Sequence, residues 1–407
     1  MSGLWIGVAC VLLLSACSPG APRDDRYADG LAGVPWDSVL ADARGQTVDW
    51  LMWGGDPLIN AFVQNYVAPT MRDSFGVDIR VTPAQGNEIV TALMGELEAG
   101  RTDGAYDLVW INGETFYQLR RIDALWGPFA EQLPSAHYVD YDNPFIGRDF
   151  QQATDGYEAP WGNVQMTLIY DTARTQNPPT TRTELYEWVK ANPGRFTWDA
   201  QFTGLAFLKS LFTDIAGGSD ALAGDFDEAR YQPAIDDLIA YVDSLKPYLW
   251  KGGETYPAGV AQLHQLFASG EVDVTMSYND SEVDNKVAQG LFPTTARAYV
   301  PDWGLIQNSH YLGIPRLAKD KAAALVLIAF LQSPAAQLRK LDPAVWGDGT
   351  VLSLDKLPDD WRARFQTAPG RQYAPTRASI ADRAVPELAP EYTIRIERDF
   401  RERVIER

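Results

Sequence analysis

The sequence predicts an α/β fold with two lobes, each built on a mostly parallel sheet flanked by helices. Strand-like runs alternate with helical patterns through the first third of the chain, which indicates parallel strand connections. The 407 residues exceed the size at which a single core stops growing, so two lobes are expected. Hydrophobic residues make up 46% of the chain and charged residues 22%, which is typical of a globular protein.

The N-terminal segment resembles an export signal. Residues 4–14 form an apolar run that is too short to span a bilayer but has the length of a signal-peptide core. The run ends at 14–17 (LSAC), which resembles the bacterial lipoprotein box, whose cysteine is acylated; a plain signal peptide is the alternative. The sequence therefore predicts a signal peptide at 1–17 with Cys17 as the lipidation site, and a flexible tether at 18–44.

Charge and cysteine content exclude several functions. A formal net charge of −19, with no local cluster of Lys or Arg, repels phosphate backbones and anionic lipid surfaces, so no nucleic-acid partner is expected. Cys10 and Cys17 are the only two cysteines, and both lie in the N-terminal segment. The exported body therefore has no disulfide and no thiol nucleophile.

The first elements alternate between strand and helix. Each strand-like run is β-rich and ends at turn residues, and the helices show apolar residues on one face. In order, the sequence predicts a strand at 47–53, a helix after Pro57, a strand at 76–81, a helix at 88–99 and a strand at 105–111. Ligands of such sheets bind beyond the carboxyl ends of the strands, so those ends are the first candidates for a site.

The later elements are less regular. Apolar residues alternate along 164–170, which predicts a strand, and a largely helical region extends from Glu184 to about 270. A strand is expected at 272–278 and an extended segment at 303–315. The apolar run at 322–331 is too short to span a membrane and predicts a buried helix.

The order of these segments resembles the extracellular solute-binding proteins of ABC importers, the group of maltose-, polyamine-, iron- and thiamine-binding receptors, and within it the YnjB-like subgroup. Each match is loose by itself, and their shared order makes them specific. The matching segments are 106–109 (YDLV), 159–162 (APWG), 168–171 (LIYD), 179–181 (PTT), 270–275 (GEVDVT), 312–316 (LGIPR) and 321–337.

The resemblance implies a type II periplasmic-binding-protein fold, with two lobes joined by a hinge and the solute held between them. It implies lobe 1 at 45–163 and 307–345, lobe 2 at 165–304 and 350–407, and a hinge near Asn163 to Gln165. It also implies closure around the solute, delivery to a membrane permease and its ATPase, a location in the periplasm or cell envelope, and a monomer without cofactor.

No enzyme motif accompanies this pattern. The sequence lacks the nucleophile elbow, the phosphate-binding loop, the dinucleotide fingerprint and the zinc-protease motif. His137, His264 and His310 are the only histidines, and each is expected as a surface or core residue. Acidic residues are so frequent that a carboxylate pair by chance proves nothing, so neither an enzyme nor a metal site is expected.

Five aromatic residues lie at strand ends or crossing segments. Aromatic faces bind sugars by stacking and cations through the ring quadrupole, at roughly 0.5–2 kcal/mol per contact. The alternative for each ring is a core position. The candidates are Trp53, Trp110, Trp161, Tyr278 and Trp303.

Polar groups at the same strand ends complete the candidate site. The carboxylates of Asp56, Glu114 and Asp280 are suited to pair with a cation or to accept from hydroxyls, and Asp56 is equally suited to cap the helix after Pro57. Backbone or amide groups near the helix starts are suited to dock a polar group, and turn formation explains them equally well. They belong to Gly54, Gly55, Gln85, Asn87 and Asn112.

Aromatic rings and carboxylates in an acidic protein favour a small cationic or aromatic-cationic solute, such as thiamine or a polyamine. A sugar is the close competitor, since it uses the same residue types. Ferric iron is disfavoured because Tyr138 and Tyr141 are not consecutive, unlike the tyrosine pair of iron receptors. A carboxylate-based hydrolase and an envelope structural lipoprotein are the remaining alternatives.

Overall fold

The structure is a computed structural model that describes residues 25–27 and 30–406. The predicted signal peptide and Cys17 therefore lie outside the described residues. The described part of the chain contains twelve strands and fifteen α-helices. The strands are β1 (Thr47–Met52), β2 (Asp78–Pro83), β3 (Leu108–Ile111), β4 (Leu125–Trp126), β5 (Arg148–Asp149), β6 (Gln152–Ala153), β7 (Glu158–Gln165), β8 (Thr167–Asp171), β9 (Val274–Ser277), β10 (Ala296–Tyr299), β11 (Leu305–Pro315) and β12 (Ala384–Pro386).

The helices flank two sheets. The helical stretch after β1 is continuous to Phe75, with π-helical turns on either side of its short middle helix. The helices are α1 (Trp36–Ala43), α2 (Pro57–Phe62), α3 (Ala68–Thr70), α4 (Gly86–Glu98), α5 (Glu114–Arg121), α6 (Arg182–Ala191), α7 (Phe202–Ile215), α8 (Glu228–Leu245), α9 (Val260–Ser269), α10 (Glu282–Ala288), α11 (Lys321–Leu331), α12 (Pro334–Leu341), α13 (Asp359–Gln366), α14 (Arg377–Ile380) and α15 (Pro390–Phe400).

The first sheet has seven strands in the order β12-β11-β3-β1-β2, with β4 and β7 also paired to β11. β1 is parallel to both β2 and β3, as the alternation of strands and helices predicted. β11 is antiparallel to β3 and β7. The carboxyl ends of β1, β2 and β3 therefore meet at one edge of this sheet.

The second sheet has three strands in the order β10-β8-β9, and both pairings are antiparallel. The expectation of a mostly parallel sheet in each lobe is therefore wrong for this lobe. The physical reason is that four helices, α6 to α9, connect β8 to β9. After them the chain enters β9 in the direction opposite to β8. Strand and helix patterns do not encode that direction.

Each sheet has its own hydrophobic core. Trp50, Trp161 and most of α11 are buried in the core of the first sheet. The core of the second sheet is built mainly by α7, α8 and α15. The part of the chain around the first core is called the first lobe, and the part around the second core is called the second lobe.

Across residues 30–406 the chain crosses between the lobes three times, twice through strand segments and once between Trp346, in the core of the first lobe, and Ile380, in that of the second. β7 pairs with β11 in the first sheet and β8 belongs to the second sheet, so the chain crosses at Met166. Met166 donates its backbone N–H to the carbonyl of Ile306 at 2.8 Å. β11 is the second crossing: Leu305 lies in the core of the second lobe, whereas Leu312 lies in that of the first.

Part of the predicted tether is folded. Residues 36–43 form α1, which packs on α11, and its Val39 and Ala43 are buried. Leu31 also joins the core of the first lobe. The tether prediction is therefore wrong for this part, because a few well-spaced apolar residues dock a segment whose overall composition is that of a linker.

α11 confirms the predicted buried helix, since eight of its side chains are buried. Within the described residues no single helix is long and apolar enough to cross a membrane. α11 and α12 pass by length and composition only as a pair that is bent by 57°.

Candidate functional site

The end of β1 contacts the second lobe through an ion pair. Asp56 accepts backbone N–H groups from Leu58 at 2.7 Å and Ile59 at 3.2 Å, which confirms that it caps α2. Its second oxygen lies 3.3 Å from the ammonium of Lys286, on the helix after β9. Lys286 also pairs with Glu282 at 3.0 Å. Asp56 therefore both caps a helix and faces the opposite lobe.

Trp53, Gly54 and Gly55 shape the loop before Asp56. Trp53 is half-buried, and its ring folds back over Gly55 so closely that a Cβ there would collide with it. A Cβ on Gly54 would lie 3.1 Å from the Pro83 side chain, at the end of β2. The two glycines therefore let the ends of β1 and β2 approach each other and leave part of the Trp53 ring open.

Gln85 and Asn87 lie at the same edge, at the start of α4. Both are exposed. Gln85 forms a capping box with Glu88, and Asn87 accepts the N–H of Glu88 at 2.9 Å. The helix start packs on α5, because a Cβ on Gly86 would collide with Thr115.

Asn112 and Glu114 follow β3, and both are half-buried. Glu114 accepts from the amide of Gln118 at 2.6 Å, and burial together with repulsion from Glu397 raises its pKa. Gly113 between them has a φ of +54°, in the left-handed region that favours glycine. Its N–H donates to the buried carboxylate of Asp149.

Trp110 and Trp161 belong to an aromatic group beneath these loops. The ring of Trp161 lies 4.8 Å from Trp110, 5.8 Å from Trp50 and 5.1 Å from Trp346, mostly edge to face. Trp161 is 0% exposed, so it is a core residue and presents no face to a ligand, which corrects its assignment as a platform. Trp110 remains half-buried.

Gly162 follows Trp161 in β7, at a position where a larger side chain does not fit. A Cβ at Gly162 would collide with the carboxylate of Asp348 and lie 2.6 Å from His310. Asp348 is fully buried and pairs with Lys340 at 2.5 Å and with His310 at 3.3 Å. Burial raises the pKa of Asp348, but the Lys340 ammonium and the contact with His310 outweigh burial, so the pKa of Asp348 is lowered below its usual value. Gly162 thus makes room for a buried ion pair.

Tyr278 and Asp280 lie at the end of β9, in the second lobe. The Tyr278 hydroxyl donates to Glu387 at 3.0 Å, and its ring lies 4.8 Å from that of the exposed Phe202. Asp280 is 1% exposed and pairs with Arg371 at 2.6 Å and Arg377 at 2.9 Å. Its charge is therefore already compensated within the protein.

Trp303 lies away from the other candidates. It is 8% exposed, packs into the core of the second lobe and lines a groove with Arg182 and Tyr241. The sequence predicted Trp303 at a crossing segment beside the solute, but its ring packs in the core of the second lobe.

A buried cluster lies between the lobes, and Tyr278 is its one member that the sequence predicted as a candidate. We name it the Lys209 cluster; it consists of Asp149, Phe150, Lys209, Tyr278, Asn308 and Glu387. The Lys209 ammonium pairs with Glu387 and lies 4.6 Å from the ring centroid of Phe150. Glu387 also accepts from Asn308 at 3.4 Å. The one available signal was the lysine within the largely apolar α7.

Carboxylates outnumber cations at this junction. Glu387 pairs with Lys209, and Asp149 and Glu114 lie near enough to interact with its charge, which is three carboxyl groups to one ammonium. Asp56 and Glu282 face Lys286, two carboxylates to one ammonium. In the described ranges no group of three or more His, Cys, Asp or Glu side chains is placed to hold a metal ion.

The chain is similar to proteins of one family. The model of the family described as bacterial extracellular solute-binding protein matches residues 61–362. Protein YnjB of Escherichia coli (strain K12) is 37% identical over 347 residues, which cover 84% of this chain and 89% of YnjB.

Solved structures share the fold at low identity. The Tp0655 (TpPotD) lipoprotein of Treponema pallidum has a TM-score of 0.64 at 13% identity and covers 89% of this chain and 100% of its own. AfuA of Actinobacillus pleuropneumoniae, solved with fructose-6-phosphate bound, has a TM-score of 0.62 at 12% identity, over 88% and 98% of the two chains. These structures confirm the two-lobe, type II periplasmic-binding-protein fold.

Proposed function

The chain belongs to the bacterial extracellular solute-binding protein family, and on this premise we propose that it captures a small cationic solute between its two lobes. Members of this family are exported receptors rather than enzymes. They bind small solutes for ABC transporters and work with a permease and an ATPase.

The surplus of carboxylates at the junction supports the cationic solute. Burying an unpaired carboxylate is costly, whereas a positively charged group placed beside it offsets that cost. Three carboxyl groups lie near Lys209, and two carboxylates pair with Lys286. A phosphate or another anion would add repulsion to both groups. A sugar is the alternative, favoured by the partly exposed rings of Trp53, Phe202 and Tyr278.

We assign the solute contacts to residues at the strand ends that face the junction. Trp53, Asp56, Asn112, Glu114 and Tyr278 carry the groups that are placed to meet a solute. Trp110 lies beneath them, and Gly54, Gly55, Gln85 and Asn87 form the rim in this proposal. Asp280 contributes indirectly, since its two arginines hold the loop after β9.

Closure of the lobes around the solute follows from the crossing segments. Met166 and the start of β11 join the lobes, and a bend there would open the junction. The ion pair of Asp56 and Lys286 forms only when the lobes are together, so it stabilises the closed state. A solute that contacts both lobes shifts the population the same way. Anchoring through acylated Cys17 and a monomeric state complete the proposal.

A thermal-shift screen of the full chain tests the solute class. We expect thiamine, spermidine or putrescine to raise the melting temperature, and inorganic phosphate to leave it unchanged. A ligand at 100 times its Kd adds about 2.7 kcal/mol of stability. A shift with maltose alone would favour the sugar alternative, and a shift with anions alone would contradict the cationic solute.

Two tryptophan variants test the location. Trp53→Ala should abolish the ligand-dependent shift, because its ring is at the junction. Trp303→Ala should lower the melting temperature of the free protein yet keep the ligand-dependent shift, because its ring lies in the core of the second lobe. Loss of the shift in both variants would argue against this location.

A further inference from the structure

A short hairpin carries a buried carboxylate into the junction between the lobes. β5 and β6 pair at Arg148–Asp149 and Gln152–Ala153, and Phe150 and Gln151 form the tip. Asp149 is 1% exposed. One of its oxygens accepts the N–H of Gly113, at the end of β3. Its other oxygen, Oδ1, has no hydrogen-bond partner in the described structure.

The tip of the hairpin is strained and spans both lobes. Phe150 has a φ of +45° and Gln151 a φ of +59°, in the left-handed region that non-glycine residues rarely adopt. The Gln151 amide donates to the carbonyl of Glu387 at 3.0 Å and accepts the N–H of Gly224 at 3.1 Å. Such strain persists where surrounding contacts impose it and is frequent at ligand sites.

Phe150 already holds a positive charge on its ring face. Its ring is buried between Gly113, where a Cβ would collide with it, and the ammonium of Lys209 at 4.6 Å. An aromatic face beside carboxylates is the environment in which ammonium groups bind. Lys209 pairs with Glu387, so Asp149 has no ion pair within the described residues.

A second unsatisfied acceptor lies on the same group. Asn308 is 5% exposed; its amide donates to Glu387, and its Oδ1 has no partner in the part of the chain that the structure describes. Asp149 is near enough to Glu387 for the two carboxylates to repel each other. Buried acceptors normally have donors, and two orphaned ones around one carboxylate indicate a missing donor group.

We propose that Asp149 binds the ammonium group of the solute, with the Asn308 side-chain oxygen as a second acceptor. This inference rests on the proposed function and specifies its substrate class as an organic amine. An alkylammonium supplies the donors and the positive charge that this group of acceptors lacks. The hairpin then acts as a specificity-determining element rather than as a mere connection.

Isothermal titration calorimetry on the full chain tests the proposal, with spermidine and thiamine as amine probes and maltose as a neutral probe. Asp149→Asn should weaken amine binding by about 30-fold or more, as expected when one partner of a buried charge pair is lost. Asp199→Asn is the matched control, because Asp199 is also buried, with one oxygen bonded to a backbone N–H and the other unpartnered. That variant should bind like the wild type.

A second variant covers the case in which Asp149→Asn does not fold. Asn308→Ala removes the second acceptor, and it should weaken amine binding by roughly ten-fold, as expected when a hydrogen bond to a charged group is lost. Amine binding by the wild type that Asp149→Asn leaves unchanged would overturn the inference and leave the receptor function intact. Binding of maltose alone, or of none of the probes, would overturn both the inference and the cationic solute.

Discussion

Replacing Trp161 with Ala should cost stability rather than affinity. The side chain is 0% exposed, and its ring contacts Trp50, Trp110 and Trp346 at centroid distances of 5.8, 4.8 and 5.1 Å. Truncating a buried Trp or Phe to Ala lowers the free energy of unfolding by about 3–5 kcal/mol. The value for Trp161→Ala should lie toward the upper end of this range, because three aromatic contacts are lost together.

Urea unfolding followed by far-UV circular dichroism measures this loss directly. The midpoint should fall while the slope against urea stays unchanged, which marks a change in stability alone. Trp53→Ala is the matched comparison, because this ring is only half-buried, and it should cost no more than about 2 kcal/mol by area burial. Where a solute is known, its affinity should fall with Trp53→Ala and hold with Trp161→Ala.

The opposite pattern would refute the reasoning. If Trp161→Ala kept the wild-type midpoint and weakened solute binding more than tenfold, the ring would be exposed to the solute in solution. Its burial in the core of the first lobe would then not describe the binding-competent state.

Three further predictions concern the neighbouring buried charges. Gly162→Ala should lower the free energy of unfolding by about 1–3 kcal/mol, because its methyl group overlaps Asp348; urea unfolding checks this value. Lys340→Met should cost about 3–5 kcal/mol by leaving Asp348 without its closest cation, and adding Asp348→Asn should restore much of the loss in the same assay. The stability that Asp149 contributes should fall as pH rises from about 4 to 8. Burial, with repulsion from Glu387, raises the pKa of Asp149 in the folded state to about 8, although the Gly113 N–H and Lys209 oppose this rise. The folded state therefore binds more protons in that window, with Glu158, Tyr278 and Tyr311 also facing the group, and Asp149→Asn should flatten the pH profile of the melting temperature.

The strand and helix patterns predicted most of the first lobe. β1, β2 and β3 lie where the β-rich runs predicted them, and α11 is the buried helix that its apolar run indicated. Capping of α2 by Asp56 was also predictable from the sequence, because Asp before Pro at a helix start is a local signal. These features depend on residues close in sequence, so the sequence alone predicts them.

Only part of the candidate site depends on residues that are close in sequence. The sequence predicted that the ends of β1 and β3 lie together, because parallel strands place their carboxyl ends at the same edge of a sheet. Trp161 and Trp303 have the same residue type and similar strand positions as Trp53, yet the first is buried in the core of the first lobe and the second in the core of the second lobe. Which face of a strand points to the core depends on packing partners that are far away in the sequence.

The sequence by itself determined the class of this protein and the elements of its first lobe. Periodicity, turn residues and the order of segments can be identified from the sequence without knowledge of distant contacts. Only the tertiary structure decided the strand direction in the second sheet and the composition of the Lys209 cluster. Asp149, Lys209 and Glu387 are separated by tens to hundreds of residues, and their charges acquire meaning only when burial removes water from between them.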